Sequence, residues 1–234
     1  MSSSMHSKRF PGETESYREA RNHLLQAELA LRKQIEEVAS LRRTLPLGGE
    51  IPEDYVFDEG SSDLEDSTVT KNTRFSDLFQ TGKDTLAIYS FMYGPKMKAA
   101  CPACTSILDS LNGAAPHAGQ RINLAVVARN PLDKIRAHAR DRGWRNLRLL
   151  SSAGNTYNRD YHGETIEGEQ QPGLNVFTRR NGKIHHFCYT ELRFVPADPG
   201  QHHRAVDLLW PLWNLFDFTP EGRGTDWHPK LVYP

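Results

Sequence analysis

The chain has 234 residues and carries 29 basic and 29 acidic side chains, so its formal net charge is zero. This length predicts one or two domains, and the neutral charge argues against bulk electrostatic binding to nucleic acid. No apolar run approaches the roughly 18 residues of a transmembrane helix, and the first six residues lack the apolar region of a secretory signal. Three cysteines are too few for a disulfide-rich secreted scaffold. We therefore expect a cytoplasmic protein that binds neither nucleic acid nor membrane.

The N-terminal region predicts one long helix after a disordered tail over residues 1–12. Between 13 and 45, apolar side chains recur at the alternating spacings of three and four that are typical of a helix, with one interruption at Gln34, where the neighbouring Ile35 partly replaces the missing member. The members of this apolar stripe are Tyr17, Ala20, Leu24, Ala27, Leu31, Val38, Leu41 and Leu45. The predicted amphipathic helix is roughly 45 Å long and ends before Pro46. Such a helix either crosses a globular body or pairs with a copy of itself, and the sequence leaves both open.

Residues 46–73 are expected to form an acidic linker, because the stretch from 51 to 70 has seven acidic residues and one short apolar island. The compact domain is predicted over 74–218, followed by an aromatic tail over 219–234. The tail is expected to wrap the domain or a partner subunit, since aromatic side chains bury large areas.

Within the domain, apolar runs predict buried strands separated by helices. The predicted strands are 85–92, 122–128, 147–150, 174–177 and 184–189, and the predicted helices are 104–111, 131–143 and 205–216. The alternating order requires parallel, right-handed crossovers for the first three strands. Asn181-Gly182 predicts an antiparallel hairpin between the last two. The expected fold is an α/β mixed sheet with helices on both faces.

The sharpest chemical motif is Cys101-Pro102-Ala103-Cys104, which follows the first strand and opens a helix. A helix N-terminus stabilises a thiolate through its unpaired N–H groups and partial positive charge. Pro102 suits the first helical turn because it has no N–H to leave unpaired. Cys101 is predicted to be the attacking thiolate and Cys104 the deeper, resolving thiol. Lys96 and Lys98 are expected to favour the thiolate at Cys101.

Two other interpretations of the cysteine pair stay open. The pair, with His185-His186, Cys188 and His202-His203, contains zinc-ligand types, but a second CxxC is absent and we expect no metal. The thiols are alternatively inert in a scaffold whose helix and tail carry the function. Alternation along its strand predicts that Cys188 is a buried structural cysteine.

The order strand, CxxC, helix, followed by a Pro172-Gly173 step before a hairpin, resembles the thioredoxin fold. The segment 74–79 resembles the lead-in of its peroxiredoxin-like branch. More closely, residues 13–230 resemble a bacterial thioredoxin-like family known as domain of unknown function 899. The matching segments are Ser16–Arg21, Asp54–Phe57, Phe91–Pro95, the cysteine pair, Trp144 and Asp217–Gly224.

The resemblance to the thioredoxin fold implies a cis-proline at Pro172 that faces the cysteines and shapes the substrate groove. Pro102, Trp144, Tyr157 and His162 are further candidates for lining that groove. The sequence departs from the peroxiredoxin pattern at Lys98, which stands where those enzymes have threonine.

The function predicted from these residues is thiol–disulfide oxidoreduction without a cofactor, on a protein or small-molecule disulfide or thiol. The alternatives are a redox-inactive binding or assembly module and a peroxide-reducing thiol enzyme. The long helix and the tail together predict a possible homodimer.

Overall fold

The computed structural model describes residues 5–68, 70–199, 204–224 and 226–233. The chain divides into two compact units, one up to Pro46 and one from Leu47 onward. Helix α1 (Glu15–Arg43) lies in the first unit, and the sheet lies in the second. No helix among the described residues is long and apolar enough to cross a membrane.

Helix α1 confirms the predicted N-terminal helix. It begins where Thr14 caps it, with the Thr14 hydroxyl accepting a hydrogen bond of 3.2 Å from the Tyr17 N–H. Side chains of the apolar stripe remain largely exposed, with Tyr17 at 49%, Leu24 at 55% and Leu31 at 59%. The helix therefore presents an apolar stripe over most of its length.

The second unit is built on one seven-stranded mixed sheet in the order β2-β1-β5-β4-β3-β6-β7. Its strands are β1 (Val56–Gly60), β2 (Thr70–Arg74), β3 (Thr85–Ser90), β4 (Asn123–Ala128), β5 (Arg148–Ser151), β6 (Gly173–Arg180) and β7 (Lys183–Tyr189). Strands β3, β4 and β5 are parallel, and the remaining pairs are antiparallel. Asn181 and Gly182 form the β6–β7 turn with positive φ angles of 52° and 78°, as the Asn-Gly signal predicts.

Helices cover both faces of this sheet, which confirms the predicted mixed α/β architecture. The helices are α2 (Pro102–Ala118), α3 (Leu132–Arg142), α4 (Tyr157–Asp160) and α5 (Pro211–Phe216). One apolar layer packs α2, α3 and α5 on the sheet, and the other packs α4 and a 3₁₀ turn over Phe75–Leu78. Alternation along β3 places Tyr89 in the first layer and Ile88 in the second.

The structure differs from the expected acidic linker over 46–73. This segment supplies β1 and β2, and its apolar island is buried, with Tyr55 at 1% and Phe57 at 0% exposure. The carboxylate of Glu59 in β1 is buried against Arg148, whose Nε donates to it at 2.8 Å. Acidic composition is compatible with a strand here because the central carboxylate has a cationic partner.

The loop between β1 and β2 is held by one buried guanidinium. Arg136 of α3 is 6% exposed and donates to the backbone carbonyls of Ser61, Asp63 and Asp66. Arg140, one turn further along α3, is exposed and donates to one carbonyl of the same loop, that of Leu64, at 2.9 Å.

We expect Arg136→Met to lower the free energy of unfolding by roughly 3 kcal/mol, because three backbone carbonyls lose a buried, charged donor. The matched substitution Arg140→Met is expected to cost less than about 1 kcal/mol. Urea unfolding followed by circular dichroism measures both. Equal losses in the two variants would contradict this role for Arg136.

The C-terminal region also differs from the prediction. Helix α5 begins at Pro211 rather than near 205, and the hydrogen bonds from 204 to 210 are those of turns. Within the tail, the Trp227 ring packs edge-on against Phe216 at 5.3 Å and Trp213 at 5.9 Å. The carbonyl of Leu231 accepts a hydrogen bond from Arg142. The aromatic tail thus wraps its own domain.

Candidate functional site

The two cysteines of the CxxC motif lie at the start of α2, just after β3. Cys101 is the N-cap residue, Pro102 occupies the first turn, and the Cys101 N–H donates to the Met92 carbonyl at 3.1 Å. Cys101 is half-buried, whereas Cys104 is only 1% exposed. The helix therefore presents one accessible thiol above one enclosed thiol.

The surroundings of Cys101 favour its thiolate. The Cys104 thiol donates a hydrogen bond to it, the backbone N–H groups of Cys104 and Ala103 add two more, and the Arg193 guanidinium contributes positive charge. Together these outweigh the effect of burial and lower the pKa of Cys101 to about 6. At neutral pH most Cys101 is consequently ionised.

The surroundings of Cys104 act in the opposite direction. Burial raises the pKa of Cys104 well above its usual value, and the neighbouring Cys101 raises it further. The Tyr89 hydroxyl, buried beneath the pair, favours the Cys104 thiolate, and it has no other polar partner among the described residues. The two thiols are thus separated in acidity, as an attacking and a resolving thiol require.

Arg193 is a site residue that was not predicted from the sequence. It lies in a 3₁₀ turn over Glu191–Phe194, directly after β7, and its Nη2 donates to the Gln171 side chain at 2.8 Å. The predicted lysines, Lys96 and Lys98, are exposed, and the cation that lowers the pKa of Cys101 is Arg193 instead. No local motif marks Arg193, because it is far from the cysteines along the chain and the sheet brings them together.

Pro172 lies where the resemblance placed it, but its geometry differs. Strand β6 begins at Gly173, which pairs with Ser90, the last residue of β3. Pro172 therefore lies at the carboxyl end of β3, the same end of the sheet at which α2 begins. The implied cis-proline is wrong, since no peptide bond among the described residues is cis. The trans form is the preferred isomer, and here the Pro172 carbonyl accepts a hydrogen bond of 3.3 Å from the Tyr189 hydroxyl.

Three predicted groove residues are not brought together. Trp144 is 1% exposed, and its ring N–H donates to Asp109 at 2.7 Å, so it is a core residue beneath α2 and α3. Tyr157 is fully buried in the apolar layer on the opposite face of the sheet. His162 is exposed and packs edge-on against Phe194 at 5.5 Å, while Cys104 lies in the core. The burial of Trp144 and Tyr157 contradicts their predicted role, because aromatic character says nothing about which face of the sheet a residue occupies.

Cys188 is half-buried rather than buried, and a β-bulge between Val176 and Phe177 disturbs the alternation that the prediction used. No group of three or more His, Cys, Asp or Glu side chains capable of holding a metal ion occurs among the described residues. His202 and His203, which the zinc interpretation invoked, lie outside the described residues.

A cavity of about 420 Å³ opens beside Cys101. Pro102, Ala103 and Arg193 are among the residues that line it with Cys101. Trp210 and Trp213 supply an aromatic wall. The accessible thiol therefore faces a space large enough for part of a small molecule.

The fold and the site define a thioredoxin-like protein with a CxxC pair at a helix N-terminus. The chain belongs to the family described as bacterial proteins of unknown function, DUF899, whose family model matches residues 7–233. The resemblance seen in the sequence is thereby confirmed. None of the curated proteins matches the chain.

Solved structures that match the chain include peroxiredoxins. Thioredoxin peroxidase I of Plasmodium yoelii has 16% identity and a TM-score of 0.45, covering 71% of this chain and 88% of its own. The reduced 2-Cys peroxiredoxin of Plasmodium vivax has 14% identity and a TM-score of 0.45, with coverage of 70% and 93%. The mitochondrial 2-Cys peroxiredoxin of Plasmodium falciparum has 14% identity and a TM-score of 0.44, with coverage of 70% and 94%.

Proposed function

We propose that this protein is a thiol–disulfide oxidoreductase in which Cys101 attacks and Cys104 resolves. The observation that carries the proposal is the asymmetry of the pair: a half-buried thiol with a lowered pKa beside a buried thiol with a raised pKa. Two inert core cysteines have no reason to differ in this way. The chemistry needs no cofactor, because the two electrons reside in the cysteine pair.

The reaction follows from the positions of the two sulfurs. The Cys101 thiolate attacks a substrate disulfide, forms a mixed disulfide and releases one substrate thiolate. That thiolate takes the proton of Cys104, directly or through solvent. The Cys104 thiolate, held by the Tyr89 hydroxyl, then attacks Cys101 Sγ and releases the second substrate thiolate. The dithiol is oxidised to a Cys101–Cys104 disulfide, and the substrate disulfide is reduced.

A redox titration of the purified protein tests the proposal. The protein is equilibrated in a series of dithiothreitol or glutathione buffers, and the thiol state is read by the mass shift after alkylation. We expect a reversible two-electron transition at a potential between roughly −120 and −270 mV, the range of disulfide-exchange proteins. If no Cys101–Cys104 disulfide forms even with a strong oxidant, the proposal is wrong.

One observation supports a second candidate function, that of an assembly module. The apolar stripe of α1 is largely exposed and follows near-heptad spacing, which is typical of a helix that pairs with a copy of itself. In this case the homodimer formed through α1 is the functional state, and the domain that contains the CxxC pair has no redox role.

Light scattering at micromolar concentration distinguishes this candidate. We expect a mass of twice one chain for the wild type and of one chain for the double variant Leu24→Glu, Leu31→Glu, because both changes place charge on the stripe. Lys33→Glu, which changes charge off the stripe, is the matched control and is expected to remain dimeric. A monomeric wild type would contradict assembly through α1.

A further inference from the structure

The cavity beside Cys101 is lined by basic side chains and by no acidic side chain among the described residues. The ionisable side chains among its described lining residues are Cys101, Arg193, Arg204 and His228, and none of them is a carboxylate. Arg204 is held by Asp207 at 3.1 Å and Asp217 at 3.0 Å, so its charge is already compensated. Arg193 donates instead to the neutral amide of Gln171. Arg193 therefore supplies the positive charge that a ligand in this cavity meets.

The Arg193 guanidinium is also incompletely satisfied. Its Nη2 is used by Gln171, but its buried Nε has no hydrogen-bond partner in the described part of the chain. A buried donor without a partner is costly, and a carboxylate is the group that a guanidinium binds best. The guanidinium that lines the cavity is thus not fully paired within the protein.

Part of the cavity lining is apolar. Trp210 and Trp213 pack edge-on at 5.3 Å, and Val206 lies beside them. Aromatic walls of this kind accommodate the carbon chain of a ligand, while a small number of polar groups orient it. The combination matches a short carbon chain that carries a carboxylate at one end and sulfur at the other.

We infer that the cavity binds a small, carboxylate-bearing disulfide, with Arg193 contacting the carboxylate and the substrate sulfur at Cys101. This inference rests on the proposed function and names its substrate class. The overall reaction is Cys101-S⁻ plus Cys104-SH plus RSSR, giving the Cys101–Cys104 disulfide, RS⁻ and RSH. The substrate disulfide receives two electrons, and the Cys104 proton leaves on one product thiol.

Three small disulfides of different charge test the inference. They are 3,3′-dithiodipropionate with two carboxylates, 2-hydroxyethyl disulfide with no charge, and cystamine with two ammonium groups. The full-length reduced protein is mixed with each in excess at pH 7.5, and Cys101–Cys104 oxidation is followed by quenched alkylation and mass spectrometry. The ratio of the rates for the anionic and neutral disulfides is the readout, because the reactivity of the thiolate cancels in that ratio.

We expect the wild type to react at least about tenfold faster with the anionic disulfide than with the neutral one. Arg193→Gln is expected to bring the ratio close to one and to speed the reaction with cystamine, whereas Arg193→Lys keeps most of the preference. Arg145→Gln removes the same charge from an exposed position just before β5. This position is at the amino end of the parallel strands, whereas Cys101 lies beyond their carboxyl end. It is expected to keep the wild-type ratio.

The outcomes distinguish the substrate class from the proposed function. Ready oxidation by all three disulfides at similar rates would overturn the carboxylate preference and leave the oxidoreductase proposal standing. A preference that survives in Arg193→Gln would overturn the role of Arg193. If none of the three disulfides oxidises the pair, the proposed function fails and this inference fails with it.

Discussion

Alkylation of Cys101 by iodoacetamide is expected to follow one titration with a midpoint near pH 6, since its pKa is lowered to about 6. The thiolate is the reactive form, so the rate falls as the pH drops through 6 and is nearly constant above 7. At pH 7, an ordinary thiol of pKa about 8.5 is about 3% ionised, so the thiolate fraction of Cys101 is roughly 30-fold higher. Because the nucleophilicity of a thiolate falls with its pKa, the expected advantage in rate is smaller, on the order of twofold to threefold. Peptide mass spectrometry after timed quenching measures Cys101 separately from Cys104 and Cys188.

Variants at Cys104 identify the cause of this low pKa. The Cys104 thiol is the largest contributor, so Cys104→Ala is expected to move the midpoint upward. Cys104→Ser keeps a hydrogen-bond donor at the same place and is expected to shift the midpoint less. A wild-type midpoint at or above pH 8 would contradict the described environment of Cys101, and equal midpoints in all three proteins would contradict the role of Cys104.

The two cysteine-to-serine variants are expected to lose different steps of disulfide exchange. Cys101→Ser should lose disulfide exchange completely, because the accessible nucleophile is gone and Cys104 is 1% exposed. Cys104→Ser should still attack a substrate disulfide but should accumulate the mixed disulfide, because no second thiol resolves it. The assay is oxidation by 2-hydroxyethyl disulfide, followed by intact-protein mass.

Cys188→Ser is the matched control and is expected to behave as the wild type in this assay. Substantial turnover in Cys101→Ser would contradict the assignment of the nucleophile. If Cys104→Ser forms no mixed disulfide but gives a dimedone adduct on Cys101 after peroxide treatment, peroxide reduction becomes the better description. The arrangement of the two thiols serves either reaction.

Arg193, and neither of the predicted lysines, is the cation that lowers the pKa of Cys101. The sequence predicted the local positive charge at Lys96 and Lys98, which are neighbours of Cys101 along the chain but are exposed to solvent. Exposed charges on a loop are screened, whereas the half-buried guanidinium at the cavity wall acts at shorter range. The same residue thus contributes to the acidity of the nucleophile and to the charge that a substrate meets.

Much of the fold was determined by local patterns. The heptad-like spacing predicted α1, the apolar runs predicted strands β3 to β7, and Asn181-Gly182 predicted the hairpin with its positive φ angles. The CxxC pair was placed at a helix N-terminus because Pro102 suits the first turn of a helix, where no N–H is needed for the helical hydrogen bonds. These features depend on neighbours a few residues apart, and such neighbours are visible in the sequence.

Other features of the molecule depend on contacts between segments that are distant along the chain. Phe57 and Glu59 are buried in a strand because Arg148, 89 residues after Glu59, neutralises the carboxylate. Composition alone predicted a linker for this segment. Trp144 and Tyr157 lie in the two different core layers, which no local pattern distinguishes. Arg193 reaches the cysteines because β6 and β7 return the chain to the edge of the sheet where α2 begins. Sequence thus determined the thiols and their helix, and folding selected the cation and the aromatic wall that surround them.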